Sequence, residues 1–157
     1  MIFLTVGTQF GFNRLVAAVD KWASNNLGVE VFAQVGSGTY IPKNFGWCRY
    51  LHPVDFEKNM TSAELIVSHA GMGTIIDSLV MAKPCLVFPR RADLNEHRND
   101  HQVATCNKLS EFDGCRIAWD EIDLFRYLDN PWGIVSSTLS VHAPEELLLA
   151  IDDFICS

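Results

Sequence analysis

Leu65-Ile66-Val67-Ser68-His69-Ala70-Gly71-Met72-Gly73-Thr74 decides the fold. An unbroken apolar run passes, through two glycines, into a segment of helical periodicity. That is the pattern of a strand buried on both faces delivering the chain into a helix. The helix is predicted over 74–82, where Lys83-Pro84 stops it, because proline disfavours helical geometry in the residue before it and has no N–H to donate. Similar apolar runs, bounded by turn residues, predict strands near 2–6, 29–35, 47–51, 64–68, 85–88 and 115–119. Between them, Phe12, Leu15, Val16, Val19 and Trp22 recur at three- and four-residue steps, one apolar helical face that ends around 25–28. Further helices fit 53–60, 100–109, 121–129 and 144–155, the last opened by Pro144. Strand alternating with helix predicts an α/β fold built on a single parallel sheet flanked by helices.

The 157 residues suit one domain, 1–157, and no repeat or linker-like tract divides them. Hydrophobic residues make up 48% and charged residues 20%, a globular composition rather than a disordered one. A net charge of −7 provides no basic field for a polyanion, so nucleic acid is not an expected partner. No apolar run approaches the roughly 20 residues of a membrane-spanning helix. Met1 leads directly into an apolar strand without a basic leader, so export is not expected. Cys48, Cys85, Cys106, Cys115 and Cys156 are odd in number and form no C-x-x-C, which favours reduced thiols over disulfides or a cysteine zinc site.

In an open parallel sheet, ligands bind beyond the carboxyl ends of the strands, so the segments after each strand are the candidates for function. After the first strand come Gly7, Thr8 and Gln9, a small-residue turn into which a ligand could press; a simple strand-to-helix turn explains it equally well. After the fourth strand come Gly71, Met72, Gly73 and Thr74. Glycines and a helix N-terminus together offer unpaired N–H groups and partial positive charge, a site for phosphate or diphosphate. Asp77, one turn on, can accept both hydroxyls of a ribose; the rival reading is close helix packing with Asp77 in solvent. After the fifth strand, Arg90, Arg91 and Arg98 form a local positive cluster, and Asp100 is placed to cap a helix whose open end presents His101 and Gln102. Phe56 and Met60, four apart, either pack in the core or line a base pocket.

His97 and His101 share the four-residue step of metal-binding pairs, but a cap at Asp100 puts His97 outside the helix, and no metal is expected. Ser68-His69 lacks a nucleophile elbow, and neighbours on a strand face opposite ways, which disfavours a covalent serine mechanism. No G-x-x-x-x-G-K-[ST] is present, which disfavours a P-loop enzyme.

Residues 1–9, 68–74 and 99–102, in this order and spacing, resemble the C-terminal, sugar-nucleotide-binding domain of glycosyltransferase family 28. In particular the chain is similar to the PssE-like stand-alone subunits of two-component UDP-sugar glycosyltransferases. The resemblance implies the donor-binding lobe of a GT-B enzyme, with the diphosphate at residues 71–74, ribose at Asp77, uracil near Phe56 and Met60, and the donor sugar at His101 and Gln102. The family pattern usually has Glu at the Asp77 position. Arg90 and Arg91 are further expected at the sugar, where they would suit one bearing a carboxylate. The resemblance also implies that no cofactor is needed and that a membrane-associated partner subunit supplies the catalytic base and the lipid-linked acceptor. Such a protein would be cytoplasmic, peripheral at the inner face of the membrane through that partner, and inactive alone. A non-enzymatic enhancer or nucleotide-binding subunit is the rival reading.

Overall fold

The computed structural model describes residues 1–110, 114–131 and 134. Six strands, β1 (Ile2–Thr5), β2 (Val31–Gln34), β3 (Gly46–Cys48), β4 (Leu65–His69), β5 (Cys85–Phe88) and β6 (Cys115–Ile117), form one sheet of order β3-β2-β1-β4-β5-β6. Every neighbouring pair is parallel. The order reverses direction between β1 and β4, and a crevice opens at such a switch point because the connections on its two sides leave toward opposite faces.

Alternation along each strand builds two cores. Ile2, Leu4, Val6, Val31 and Ala33 pack against Leu15, Val19 and Trp22 of α1 (Asn13–Ser24) and Leu124 and Leu128 of α5 (Glu121–Asp129). Phe3, Ile66, Cys85 and Val87 face the other way, onto Met60 of α2 (Pro53–Ser62), Ile75 and Leu79 of α3 (Met72–Val80), and Cys106 and Leu109 of α4 (His101–Leu109). The helices among the described residues therefore sandwich the sheet, two on one face and three on the other. α2 opens with Pro53 in its first turn, and α5 opens with Asp120, whose carboxylate accepts from the Asp123 N–H at 2.8 Å.

Two boundaries differ from expectation in ways that matter. α3 starts at Met72 rather than 74, so Gly73 and Thr74 lie in its first turn. It also ends earlier, because Ala82 takes a left-handed φ of 53° while its N–H and that of Lys83 donate to Leu79 O and Ser78 O. Asp100 does precede α4, but its carboxylate accepts from the Ala92 N–H at 3.0 Å and makes no cap hydrogen bond. Cys48, Cys85, Cys106 and Cys115 are free thiols. Cys156, Trp132 and the helix expected over 144–155 lie outside the described residues.

Candidate functional site: a cleft at the β1/β4 switch point

A cleft of about 660 Å³ lies over the carboxyl ends of β1, β2, β4 and β5. From β1 and the turn after it come Thr5, Val6, Gly7, Thr8, Gln9 and Phe10. Gln34 ends β2; Leu51, Pro53 and Phe56 close that side. His69, Gly71, Gly73, Thr74 and Asp77 come from β4 and α3, and Arg90, His97 and Gln102 from the segments after β5.

The centre of the cleft is the start of α3. Its first helical bond runs from the Ile75 N–H to Gly71 O at 3.2 Å, and no side chain caps it. The N–H groups of Met72, Gly73 and Thr74 thus precede the hydrogen-bonded ladder and carry the positive end of the helix dipole. The two glycines serve different purposes. A Cβ on Gly71 would overlap His69 Nε2, so Gly71 makes room for the imidazole. A Cβ on Gly73 would meet no protein atom within 4 Å. Glycine weakens a helix, and no contact of the protein asks for it at that position. Thr74 and Asp77 follow on the same side, and the exposed Asp77 carboxylate makes no hydrogen bond among the described residues.

His69 wedges between two turns. Gly7, at φ +75°, is the other residue beside its ring: a Cβ there would lie 2.7 Å from Cε1. Burial, then the positive charge of Arg90, pushes the His69 pKa down to about 4, so the ring is neutral at pH 7. Its buried Nδ1 makes no hydrogen bond of good geometry, although the Thr5 backbone lies near enough to the ring to favour its protonated form slightly.

Arg90 is 2% exposed, and its guanidinium reaches back to the β1 turn, Nη2 donating to Val6 O at 2.8 Å and Phe10 O at 2.7 Å. Gln102 Oε1 accepts from the Arg90 backbone N–H at 3.0 Å, which ties the start of α4 to the end of β5. Across the floor, Gln34 donates to Thr5 Oγ1 at 3.3 Å and accepts from the Leu51 N–H at 2.9 Å. Behind the β5 segment, Arg14 makes a two-bond fork to Glu96 at 2.7 and 2.9 Å, with its guanidinium over the Phe88 ring. The His97 and Phe10 rings meet nearly perpendicular at a centroid separation of 5.9 Å.

Several expected site residues lie elsewhere. Met60 is fully buried in the core beneath α2, so Phe56 alone of that pair lines the cleft. Met72 packs its side chain on the core and offers the site only its backbone. Arg91 is exposed and held by Asp93 at 2.7 Å, and His101, at the solvent side of α4, does not line the cleft. Gln34, His97 and the wedge position of His69 carry no motif that marks them for the cleft; polar Gln34 ending an apolar strand is the available signal. Among the described residues no three His, Cys, Asp or Glu side chains converge as metal ligands.

The profile of the "Glycosyltransferase family 28 C-terminal domain" matches residues 1–127. The chain is 33% identical over 106 residues to the UDP-N-acetylglucosamine transferase subunit ALG13 of Mus musculus, and 30% identical over 107 residues to that of Homo sapiens. These matches cover 61% and 62% of this chain but 9% of each relative, so the chain spans under a tenth of the length of the curated relatives it matches. Among solved structures, the NMR structure of ALG13 superposes with a TM-score of 0.64 at 19% identity, covering 94% of this chain and 93% of that one. MurG of Acinetobacter baumannii superposes with a TM-score of 0.59 at 19% identity, covering 85% of this chain and 42% of that one. At these identities the likeness is one of fold, the Rossmann-like fold of a GT-B C-terminal lobe. The profile match over residues 1–127 establishes the family: the chain belongs to the glycosyltransferase family 28 C-terminal domains.

Proposed function

We propose that the chain is the donor-binding subunit of an inverting glycosyltransferase, moving a hexosyl unit from a UDP-sugar to a polyprenyl-diphosphate-linked glycan. One observation carries the reading. The only two buried side-chain polar atoms that make no hydrogen bond of good geometry among the described residues, His69 Nδ1 and Arg90 Nε, belong to residues that line the same cleft. An orphaned buried polar group is unfavourable unless something fills its need. The uncapped start of α3 opens into that cleft, and the combination suits an anion.

In this reading the diphosphate lies against the backbone of Gly71, Met72, Gly73 and Thr74, with Gly73 open to its approach. Asp77 takes the ribose hydroxyls, the shorter carboxylate at a place where the family usually has Glu. Phe56, with Leu51 and Pro53, forms the uracil side. The sugar lies toward β5, near Gln102 and His97. As the glycosidic bond to UDP breaks, negative charge builds on the departing phosphate, and N–H groups already aimed at that place stabilise it without reorganising.

The acceptor hydroxyl and the base that deprotonates it belong, in this account, to a separate membrane-associated subunit. The relatives carry the word subunit in their names, and the fold matches 42% of the MurG chain. No helix among the described residues is long and apolar enough to cross a membrane, so the partner is the proposed anchor. The finer assignment to a PssE-like subunit of polysaccharide synthesis, at the inner face of the cytoplasmic membrane, rests on the sequence resemblance.

The test is thermal melting with UDP, UDP-sugars and GDP. UDP at about 100 times its dissociation constant is expected to stabilise the fold by about 2.7 kcal/mol, a rise of roughly 5 to 10 °C. A flat response to all of them would favour a non-enzymatic enhancer subunit instead.

A further inference from the structure

Arg90 is a buried cation with no carboxylate in contact: Glu96, whose charge acts on it from a distance, is already forked to Arg14. The Arg90 side chain is 2% exposed, and it takes part in no ion pair among the described residues. Two carbonyls, Val6 O and Phe10 O, and the face of the Phe12 ring at 5.0 Å compensate it in part. Its Nε, fully buried, has no partner. Dipoles and a ring do not neutralise a charge, and an unpaired buried charge is expensive unless a ligand completes it.

The two carbonyls are not arbitrary. They stand at either end of the turn that carries Gly7, Thr8 and Gln9 across the cleft, and Thr8, Gln9 and Phe10 are themselves exposed. A side chain that grips both ends of a solvent-facing turn, while its own charge awaits an anion, can pass the arrival of that anion to the turn.

We propose that Arg90 is a positioning residue: the ligand's anion supplies its missing counter-charge, and the guanidinium then fixes residues 7–9 over the bound ligand. This rests on the reading of the cleft as a diphosphate site and adds a coupling between that site and the β1 turn. It also gives Arg90 a task other than meeting a carboxylate of the sugar.

The test compares the wild-type chain with Arg90→Gln and Arg90→Lys. Affinities for UDP, inorganic pyrophosphate and uridine are measured by NMR titration, and amide hydrogen exchange at residues 8–10 is followed with and without UDP. Arg90→Gln is expected to weaken UDP and pyrophosphate by about 10- to 100-fold, the worth of a charge-assisted hydrogen bond, and to leave uridine within about twofold. UDP slows exchange at residues 8–10 in the wild type and no longer does so in either variant, since lysine keeps the charge but its ammonium, one bond short of the Nη2 position, does not reach both carbonyls. Equal losses for UDP and uridine would reduce Arg90 to a merely structural role and overturn the proposal. So would unchanged UDP binding in Arg90→Gln, or, should that variant fail to fold, wild-type exchange slowing in Arg90→Lys. A wild-type chain that binds neither UDP nor pyrophosphate would instead overturn the diphosphate site itself.

Discussion

His69 shows how much a single half-buried side chain can organise. It has glycine on both sides because nothing larger fits beside the ring, and it is neutral because burial and the charge of Arg90, with His97 nearby, oppose its protonation. Its folded pKa of about 4 lies below the ordinary 6.5, so between those values the unfolded chain takes up a proton that the folded chain refuses. The contribution is therefore complete above about pH 6.5 and is lost as pH falls toward 4, amounting to about 3 kcal/mol at most. Urea unfolding of the wild type and His69→Gln at pH 7 and pH 4.5 checks this. The variant is expected to lose less stability over that interval than the wild type; equal losses would show that the ring protonates freely in the folded state.

At the level of elements, most of the architecture was legible because it is local. A doubly buried strand needs an unbroken apolar run, and a helix against it needs apolar steps of three and four; both leave marks on the sequence at β1, β4, β5 and α1. The start of α3 was legible only by type. Two glycines before a helix say that a backbone comes close to something, and the sequence does not distinguish an imidazole from a ligand. The structure puts the imidazole beside Gly71 and open space beside Gly73, and mutation tests what the second glycine is for. Gly71→Ala overlaps His69 and is expected to destabilise by about 1 to 3 kcal/mol, the range of overpacking. Gly73→Ala meets no protein atom and is expected to leave folding unchanged or to stabilise it by up to about 1 kcal/mol, while UDP affinity falls by at least about tenfold. Denaturation and UDP titration of the two variants read this contrast. Gly73→Ala binding UDP like the wild type would show that no ligand lies against that turn.

For the whole molecule, what the sequence could not reveal is what depends on distant segments meeting. Arg90 stood out as a positive residue in a polar segment, and the natural inference was a free guanidinium. Its grip on Val6 O and Phe10 O, 84 and 80 residues away in the chain, is invisible until the sheet order places β5 beyond β4 and the turn after β1 folds across. Arg91 is its neighbour in sequence but is tied to Asp93 at the surface. Met60 looked like a partner for Phe56 because they share a helical spacing, yet the sheet claims the first and the cleft the second. The same sheet order brings the turns after β1, β4 and β5 around one opening, and a nucleotide laid across it would touch all three. A crystal structure of the chain with saturating UDP tests this most directly. Diphosphate oxygens should lie within about 2.7–3.2 Å of the Gly73 and Thr74 N–H groups. UDP held elsewhere on the surface, or an opening kept shut by packed side chains at full saturation, would contradict it.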